Sequence, residues 1–468
     1  MALPDRFSLL VLGQGTTGLD IVRWALAHTD RVGEVVVYGG ASSGANDATR
    51  ALEEAGARFV YGTEDVEGSF DVCVATPGIS EFSDFFAAAR NHAGQIMGEP
   101  EFAYRLTPER WVGITGTNGK TTTTALTNHL LHAAGMRSSA VGNIGDTAIS
   151  RVDGRGEGEW FVAELSSYQL ATTSELHPRV AVLLNITPDH LAWHRSHENY
   201  ARAKCRLFAN LTPSDLAVVD VEDEGVRDHM GLIAGDGRRV LSLALDDPAT
   251  ADAAFVREGV LVVRLAGEET PLVAVDDLKI AGRHNLTNAL AAASAALFAG
   301  ASVEGVCAGL RSFAPLEHRI EPCGELDGVR FVNDSKATNT DAVIKALTAF
   351  PRERVVLLVG GHDKGTPLEE FARAVISSTV RAVVCFGEAR ERFLAAFLEA
   401  DDTHELDLAE ADSLRDAVDV ARNLAERGEV VLLSPACSSF DEFSGFEERG
   451  RAYKGYLDEL RGASAAGR

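Results

Sequence analysis

WVGITGTNGKTTTT, residues 111–124, reads as a short apolar run, a glycine-rich turn and the start of a helix. In that order the glycines let backbone N–H groups approach phosphate oxygens, Lys120 sets an ammonium against the β and γ phosphates, and the Thr121 hydroxyl can ligate Mg²⁺. The spacing departs from GxxxxGK[ST], because the residue five before Gly119 is Ile114. This is a shortened phosphate-binding loop, with Gly116, Thr117, Asn118, Gly119, Lys120, Thr121 and Thr122 expected to bind ATP; a fortuitous turn is the competing reading.

On either side of this loop, short apolar runs alternate with helical patterns: FSLLVL, EVVVY and FDVCVA before it, WFVAEL and VAVLLNI after it, then RVVLLVGG, RAVVCFG and EVVLLSP. This is the βαβ rhythm of mostly parallel α/β sheets. Polar breaks near Glu99 to Pro108 and Phe313 to His318 suggest three domains, 1–98, 99–315 and 316–468. The expected architecture is α/β throughout: a Rossmann-like N-terminal domain, a central P-loop ATPase-like parallel sheet and a Rossmann-like C-terminal domain. A length of 468 residues fits, at about 150 residues per domain.

The formal charge of −25 repels phosphate backbones and anionic headgroups, so neither nucleic acid nor a membrane surface is an expected partner. No run of about 20 apolar residues occurs, and MALPDRFSLLVLG enters a strand without the basic region and cleavage site of a signal peptide. A cytoplasmic monomer is expected. The cysteines at 73, 205, 307, 323, 385 and 437 are scattered with no CxxC pair, which signals neither a disulfide framework nor a structural zinc site.

Gly13-Gln14-Gly15-Thr16-Thr17-Gly18 follows a strand and opens a helix, the context for holding a diphosphate on a helix N-terminus. A dinucleotide site also expects an acidic residue after the second strand, where this chain has Val37-Tyr38-Gly39-Gly40. NAD is disfavoured, leaving another nucleotide diphosphate or a glycine turn needed only for packing. Glu164 ends the apolar strand of WFVAELSSYQL, where a second metal contact beside the phosphate loop is needed, unless it only caps a helix near Ser166 and Ser167. His190, His194 and His197 follow in NITPDHLAWHRSHENY. The four-residue gap between the first two suits zinc, but no third ligand stands at a recognisable spacing.

GTNGKTTT, Glu164 of ELSSYQL, NITPDH and Lys204 of YARAKCRLF together resemble the central domain of the Mur ligases. The resemblance implies two Mg²⁺ ions, one on Thr121 and Glu164 and a second on Glu164, His190 and Lys204, the lysine carrying a CO₂-derived carbamate. A lysine desolvated near other groups can be neutral and react with CO₂. GRHNLTNAL resembles the adenine-contacting helix start, with Asn285 and Asn288, and LEHRIE carries Arg319, which in the family approaches the ATP phosphates. NDSKATNTDA resembles the D-glutamate-adding branch, which implies roles for Asp334 at ATP, for Lys336 in catalysis and for Thr338 at D-glutamate. Lys364 of GGHDKGT and Ser439 and Phe446 of LSPACSSFDEFSGF complete the implied D-glutamate site; hydrogen-bond donors and a cation suit a dicarboxylate.

At the other end, the resemblance implies that Gly15, Thr16, Thr17, Asn143 and His190 contact a uridine-diphosphate substrate, UDP-N-acetylmuramoyl-L-alanine. It further implies ATP-dependent ligation of D-glutamate through an acyl phosphate, with Lys120, Glu164, His190, Lys204 and Lys336 as the catalytic set and closure of the third domain as a separate step. The competing expectations are a sister ligase taking another amino acid, L-glutamate included, a folylpolyglutamate synthase, and a non-catalytic nucleotide-binding regulator.

Overall fold

The computed structural model describes residues 3–235, 237–280, 282–362, 365–401 and 406–466, with side chains as far as residue 462. Three sheets carry the described residues in order. The first is wholly parallel, in the spatial order Arg58–Val60, Val32–Tyr38, Phe7–Leu12, Phe70–Ala75 and Ala93–Gly98. Connections leave its first strand towards opposite edges, so the loop after Phe7–Leu12 opens at the switch point where doubly wound sheets hold ligands.

The second sheet has nine strands, and Trp111–Thr115 lies inside it between Trp160–Glu164 and Val180–Leu183. Ser138–Gly142 forms one edge beside Trp160–Glu164, and the sheet continues from Val180–Leu183 through Leu216–Asp220, Val240–Leu243 and Ala253–Arg257 in parallel. An antiparallel pair, Val260–Leu265 and Glu268–Ala274, extends the far edge. The WVGIT and WFVAE strands are buried at every residue, which explains why they are continuously apolar rather than alternating.

In the third sheet the order is Glu321–Leu326, Val329–Asn333, Val430–Ala436, Val355–Gly360, Val380–Phe386 and Asp407–Ala411, with only the first strand antiparallel. Its apolar residues divide by the two-residue period of a strand. Val355, Leu357 and Val359 face one core, and Val356 and Leu358 face the other. The α/β class expected from the alternating runs is the class found. No helix among the described residues is long and apolar enough to cross a membrane.

Two compact units result: 3–278 with 287–312, and 279–286 with 313–466. Within the first unit one apolar cluster runs from Leu9, Ile21 and Trp24 of the first sheet through Phe102 to Trp111 and Phe161 of the second. Phe102 sits edge-on to both Phe7 and Trp24. Glu99, at the start of the same helix Glu99–Leu106, is also buried, and accepts from the Ile149 N–H at 2.7 Å while its Oε2 has no partner. Burial pushes its carboxyl up to about 7.

The folded state therefore binds a proton that the unfolded chain has released, and stability falls as pH rises from the ordinary carboxyl range through 7. Glu99→Gln removes the charge and keeps the shape. It is expected to raise the melting temperature by roughly 3–6 °C at pH 8 and to leave it nearly unchanged at pH 5. Thermal melts at the two pH values check this; equal shifts at both would exclude a titrating carboxyl as the cause.

Candidate active site

Strand Trp111–Thr115 delivers the chain into the glycine loop, and helix Lys120–Ala133 leaves it. Gly119 has φ +84°, and a Cβ there would lie 2.5 Å from Asn288 Oδ1 and 2.9 Å from Leu184 Cδ1, so glycine is needed both for conformation and for space. The next loop of the sheet grips this one. Asn118 N donates to Asn185 Oδ1 at 2.8 Å, Thr117 N to Asn185 O at 3.0 Å, and Thr187 N to Thr117 Oγ1 at 2.9 Å. Tyr200 OH shares a 2.9 Å bond with the same Thr117 hydroxyl, and Thr123 Oγ1 donates to Asn288 Oδ1 at 3.2 Å. The backbone is thus held in one shape at the helix N-terminus, an arrangement suited to taking an anion. Lys120 Nζ folds over it, donating to Gly116 O at 3.0 Å and Thr117 O at 2.8 Å.

The neighbouring strand carries Glu164 to the same edge, because Ile114 pairs in register with Glu164. Glu164 is 2% exposed; Oε1 accepts from Asn143 Nδ2 at 2.9 Å, and Oε2 is buried without a hydrogen-bond partner. Helix His197–Cys205 brings Lys204 in from the other side, 1% exposed, its Nζ donating to Gly116 O at 2.7 Å and lying 4.6 Å from the Tyr200 ring centroid. Burial, reinforced by the nearby Lys120 charge, pushes the Lys204 ammonium well below its usual range. An orphaned carboxylate oxygen and a buried amine with a weakened hold on its proton, beside a half-buried Thr121, are a donor set that fits a hard divalent cation once the amine becomes a carbamate.

Of the three histidines, His190 is exposed, at φ +53°, with its ring 4.7 Å from that of Tyr168. His194 is buried, shares a 2.9 Å bond with Ser167 Oγ, and is pushed down to about 4 by burial. It is a neutral interior residue. Among the described residues the only group with metal-ligand spacing is Glu317, His318 and Glu321, already bridged by Lys454, whose Nζ lies 3.0 Å from Glu321 Oε1.

In the first sheet, Gly13 has φ +93° and a Cβ on it would meet Thr76 Oγ1 at 2.2 Å, while one on Gly18 would meet Gly13 O at 2.1 Å. Gly15, by contrast, has open space beside it, and Thr16 is exposed at the start of helix Thr16–Ala27. Tyr38 is buried with its hydroxyl accepting from Glu67 N at 3.0 Å, so it belongs to the fold.

The second unit gathers its own set at the ends of adjacent strands Val329–Asn333 and Val430–Ala436. Asp334 is buried, accepts from Ser434 Oγ at 2.7 Å and Ile320 N at 3.2 Å, and is pushed up to about 7 by burial. Arg319 precedes that amide, and Lys336 N donates to His318 O at 3.1 Å, so the arginine turn and the lysine loop are joined. Lys336 Nζ lies 3.7 Å from the Phe446 ring centroid. Thr338 follows in the same loop, and Ser439 is buried in the loop after Val430–Ala436. Asn285 is buried and falls with this unit, whereas Asn288 falls with the first. Lys364 lies outside the described residues.

The motif reading missed Arg449. Its guanidinium is fully buried and donates to Ser335 Oγ, Ser335 O, Cys437 O and Ser438 O at 2.9–3.1 Å, tying the two loops together. An arginine in a charged helix, FEERGRAYK, carries no sign that it turns inward. Asn185 and Tyr200 were likewise unmarked, because each acts by bonding a loop distant in sequence.

The family model described as the Mur ligase middle domain matches residues 114–296, and that described as Mur ligase, glutamate ligase domain, matches 318–437. A protein of Pelotomaculum thermopropionicum named UDP-N-acetylmuramoylalanine--D-glutamate ligase is 38% identical over 97% of this chain and 98% of its own length. Another of that name from Caldanaerobacter subterraneus is 39% identical over 85% of this chain and 86% of its own. A crystal structure of MurF from Acinetobacter baumannii shares the fold with a TM-score of 0.62, at 17% identity, covering 95% of this chain and 93% of that one. With both family domains matched over more than half of the residues and relatives aligned almost end to end, the chain belongs to the Mur ligase family.

Proposed function

We propose that this protein joins D-glutamate to UDP-N-acetylmuramoyl-L-alanine at the expense of ATP, a step of peptidoglycan synthesis. The observation that carries this reading is the buried meeting of Glu164, Lys204 and the glycine loop, in a chain aligned almost end to end with enzymes of that name. The roles divide by domain: 1–98 binds the uridine diphosphate, 99–315 binds ATP, and 316–468 binds the amino acid. Gly15, Thr16 and Thr17 take the diphosphate, with Asn143 and His190 nearer the reacting end. Residues 116–122, Asn285, Asn288, Arg319 and Asp334 take ATP, and Thr338, Lys364, Ser439 and Phe446 take D-glutamate.

An amine and a free carboxylate do not condense in water, so the alanine carboxylate oxygen first attacks the γ-phosphorus of ATP and ADP leaves. Lys120, the loop amides and Arg319 neutralise charge on this in-line transfer, which needs positioning and electrostatics rather than a protein nucleophile. The D-glutamate nitrogen then attacks the acyl carbon, loses a proton, and the tetrahedral intermediate expels phosphate. Lys336 would hold the phosphoryl oxygens during that second step. Two Mg²⁺ ions, held by Thr121, Glu164, His190 and the carbamate of Lys204, would supply positive charge at the phosphates. The reading is of a cytoplasmic monomer acting on small molecules, with no nucleic acid or membrane partner.

The test is phosphate release with UDP-N-acetylmuramoyl-L-alanine and ATP, offered D-glutamate and L-glutamate side by side. Release with the D-isomer alone supports the reading. Release with another amino acid in its place would make this a sister ligase, and none with any would end it.

A further inference from the structure

We propose that Arg195 is a positioning residue: it ties the loop of residues 76–83 to the turn carrying His190, and so sets the reach between the diphosphate-binding glycine loop and the Glu164–Lys204 cluster. This rests on the function proposed above and goes beyond it in assigning a residue to which none of the motif readings gave a role.

Residues 76–83 begin against the glycine loop, where Thr76 N donates to Leu12 O at 3.0 Å and the Thr76 hydroxyl fills the space a side chain on Gly13 would need. They end against the other site. Arg195 Nη2 donates to Phe82 O at 2.7 Å, and the same guanidinium lies 5.0 Å from the Phe82 ring centroid. Ser80 Oγ donates to Trp193 O at 3.3 Å, and Arg206 Nη2 lies 3.1 Å from Glu81 Oε2, two residues beyond Lys204. One loop thus touches the place where the diphosphate is proposed to sit and the segment carrying His190 and Lys204.

The backbone at Arg195 makes this more than an incidental surface contact. Arg195 ends the short helix Leu191–His194 at φ +66°, a left-handed position that glycine usually fills. A long side chain is kept here against conformational preference, and its guanidinium is the group that reaches the loop. Strain of this kind persists where the surroundings over-determine it, often beside a reacting centre. The consequence is geometric. The substrate spans from its diphosphate to its alanine carboxylate, and a displacement of about 1 Å between the two anchoring loops is enough to lower a positioned reaction by roughly 10²-fold.

Arg195→Gly relieves the strain and removes the tie. Its melting temperature is expected to equal or exceed that of the parent, hydrogen exchange at residues 76–83 to quicken, KM for the muramoyl nucleotide to rise about tenfold and kcat to fall about tenfold, together roughly 10²-fold, with KM for ATP and glutamate within twofold. Phe82→Leu, which removes the ring from the opposite side, should raise the same KM. A more stable Arg195→Gly protein whose kinetic constants all match the parent would overturn the proposal and leave Arg195 a surface contact. So would unchanged exchange at residues 76–83, a readout that needs no turnover. An inactive parent protein would count against the proposed function instead.

Discussion

Lys204→Ala is expected to lose at least about 10²-fold in phosphate release while the protein stays folded. The side chain is buried, its Nζ bonded only to the neutral Gly116 carbonyl among the described polar partners, and burial with the Lys120 charge holds its ammonium well below the usual range. A neutral amine can add CO₂, forming an N–C bond and releasing a proton, and the product is an anion where an uncharged amine stood. The orphaned Glu164 Oε2 then has a second carboxylate-like neighbour with which to share a metal.

The sign of the stability effect is opposite to that of the activity effect. The unfolded chain holds the Lys204 proton at neutral pH and the folded one releases it readily, so the native lysine costs stability there and stability rises with pH. Lys204→Met, which keeps the volume without the charge, should therefore melt higher than the parent and still be nearly inactive. Stripping CO₂ from the buffer should slow the parent enzyme, with bicarbonate restoring it, and should do nothing to either variant. Full activity in Lys204→Ala would remove the carbamate from the mechanism.

Lys120→Ala is expected to lower ATP-dependent phosphate release by about 10³-fold and to weaken nucleotide binding. Nζ is already held over the glycine loop by the Gly116 and Thr117 carbonyls, so little reorganisation is needed when phosphates arrive. Because the residue is half-buried on the surface of the loop, the melting temperature should move little. Nucleotide titration and phosphate release together check the claim. Release within threefold of the parent would mean that this loop does not carry the γ-phosphoryl group.

Much of the candidate site is legible in the sequence because it is built from local chain geometry. GTNGK reads as a phosphate loop for reasons contained in its own five residues: glycines where the backbone turns to positive φ, and a lysine at the start of the helix. Glu164 is equally local, the last residue of an apolar strand, and Gly13 and Gly18 declare a turn in which the backbone meets itself. The alternation of runs gives the α/β class for the same reason, since a strand buried on both faces has no polar side to show. The antiparallel hairpin Val260–Ala274 at one sheet edge was not separable, because its runs carry the same residue types as parallel strands.

The company each residue keeps is a property of the fold. Chain chemistry suffices to mark the glycine loop, the carboxylate and the lysine as candidates for holding phosphates and a metal. Folding decides that Lys204 is dehydrated, that Glu164 has an unused oxygen, that His194 is interior while His190 is not, and that Arg195 and Arg449 fasten loops far from them in the chain. The reason is physical: a loop's shape depends on bonds within a few residues, whereas burial and charge depend on neighbours that the chain brings together only when it closes its core.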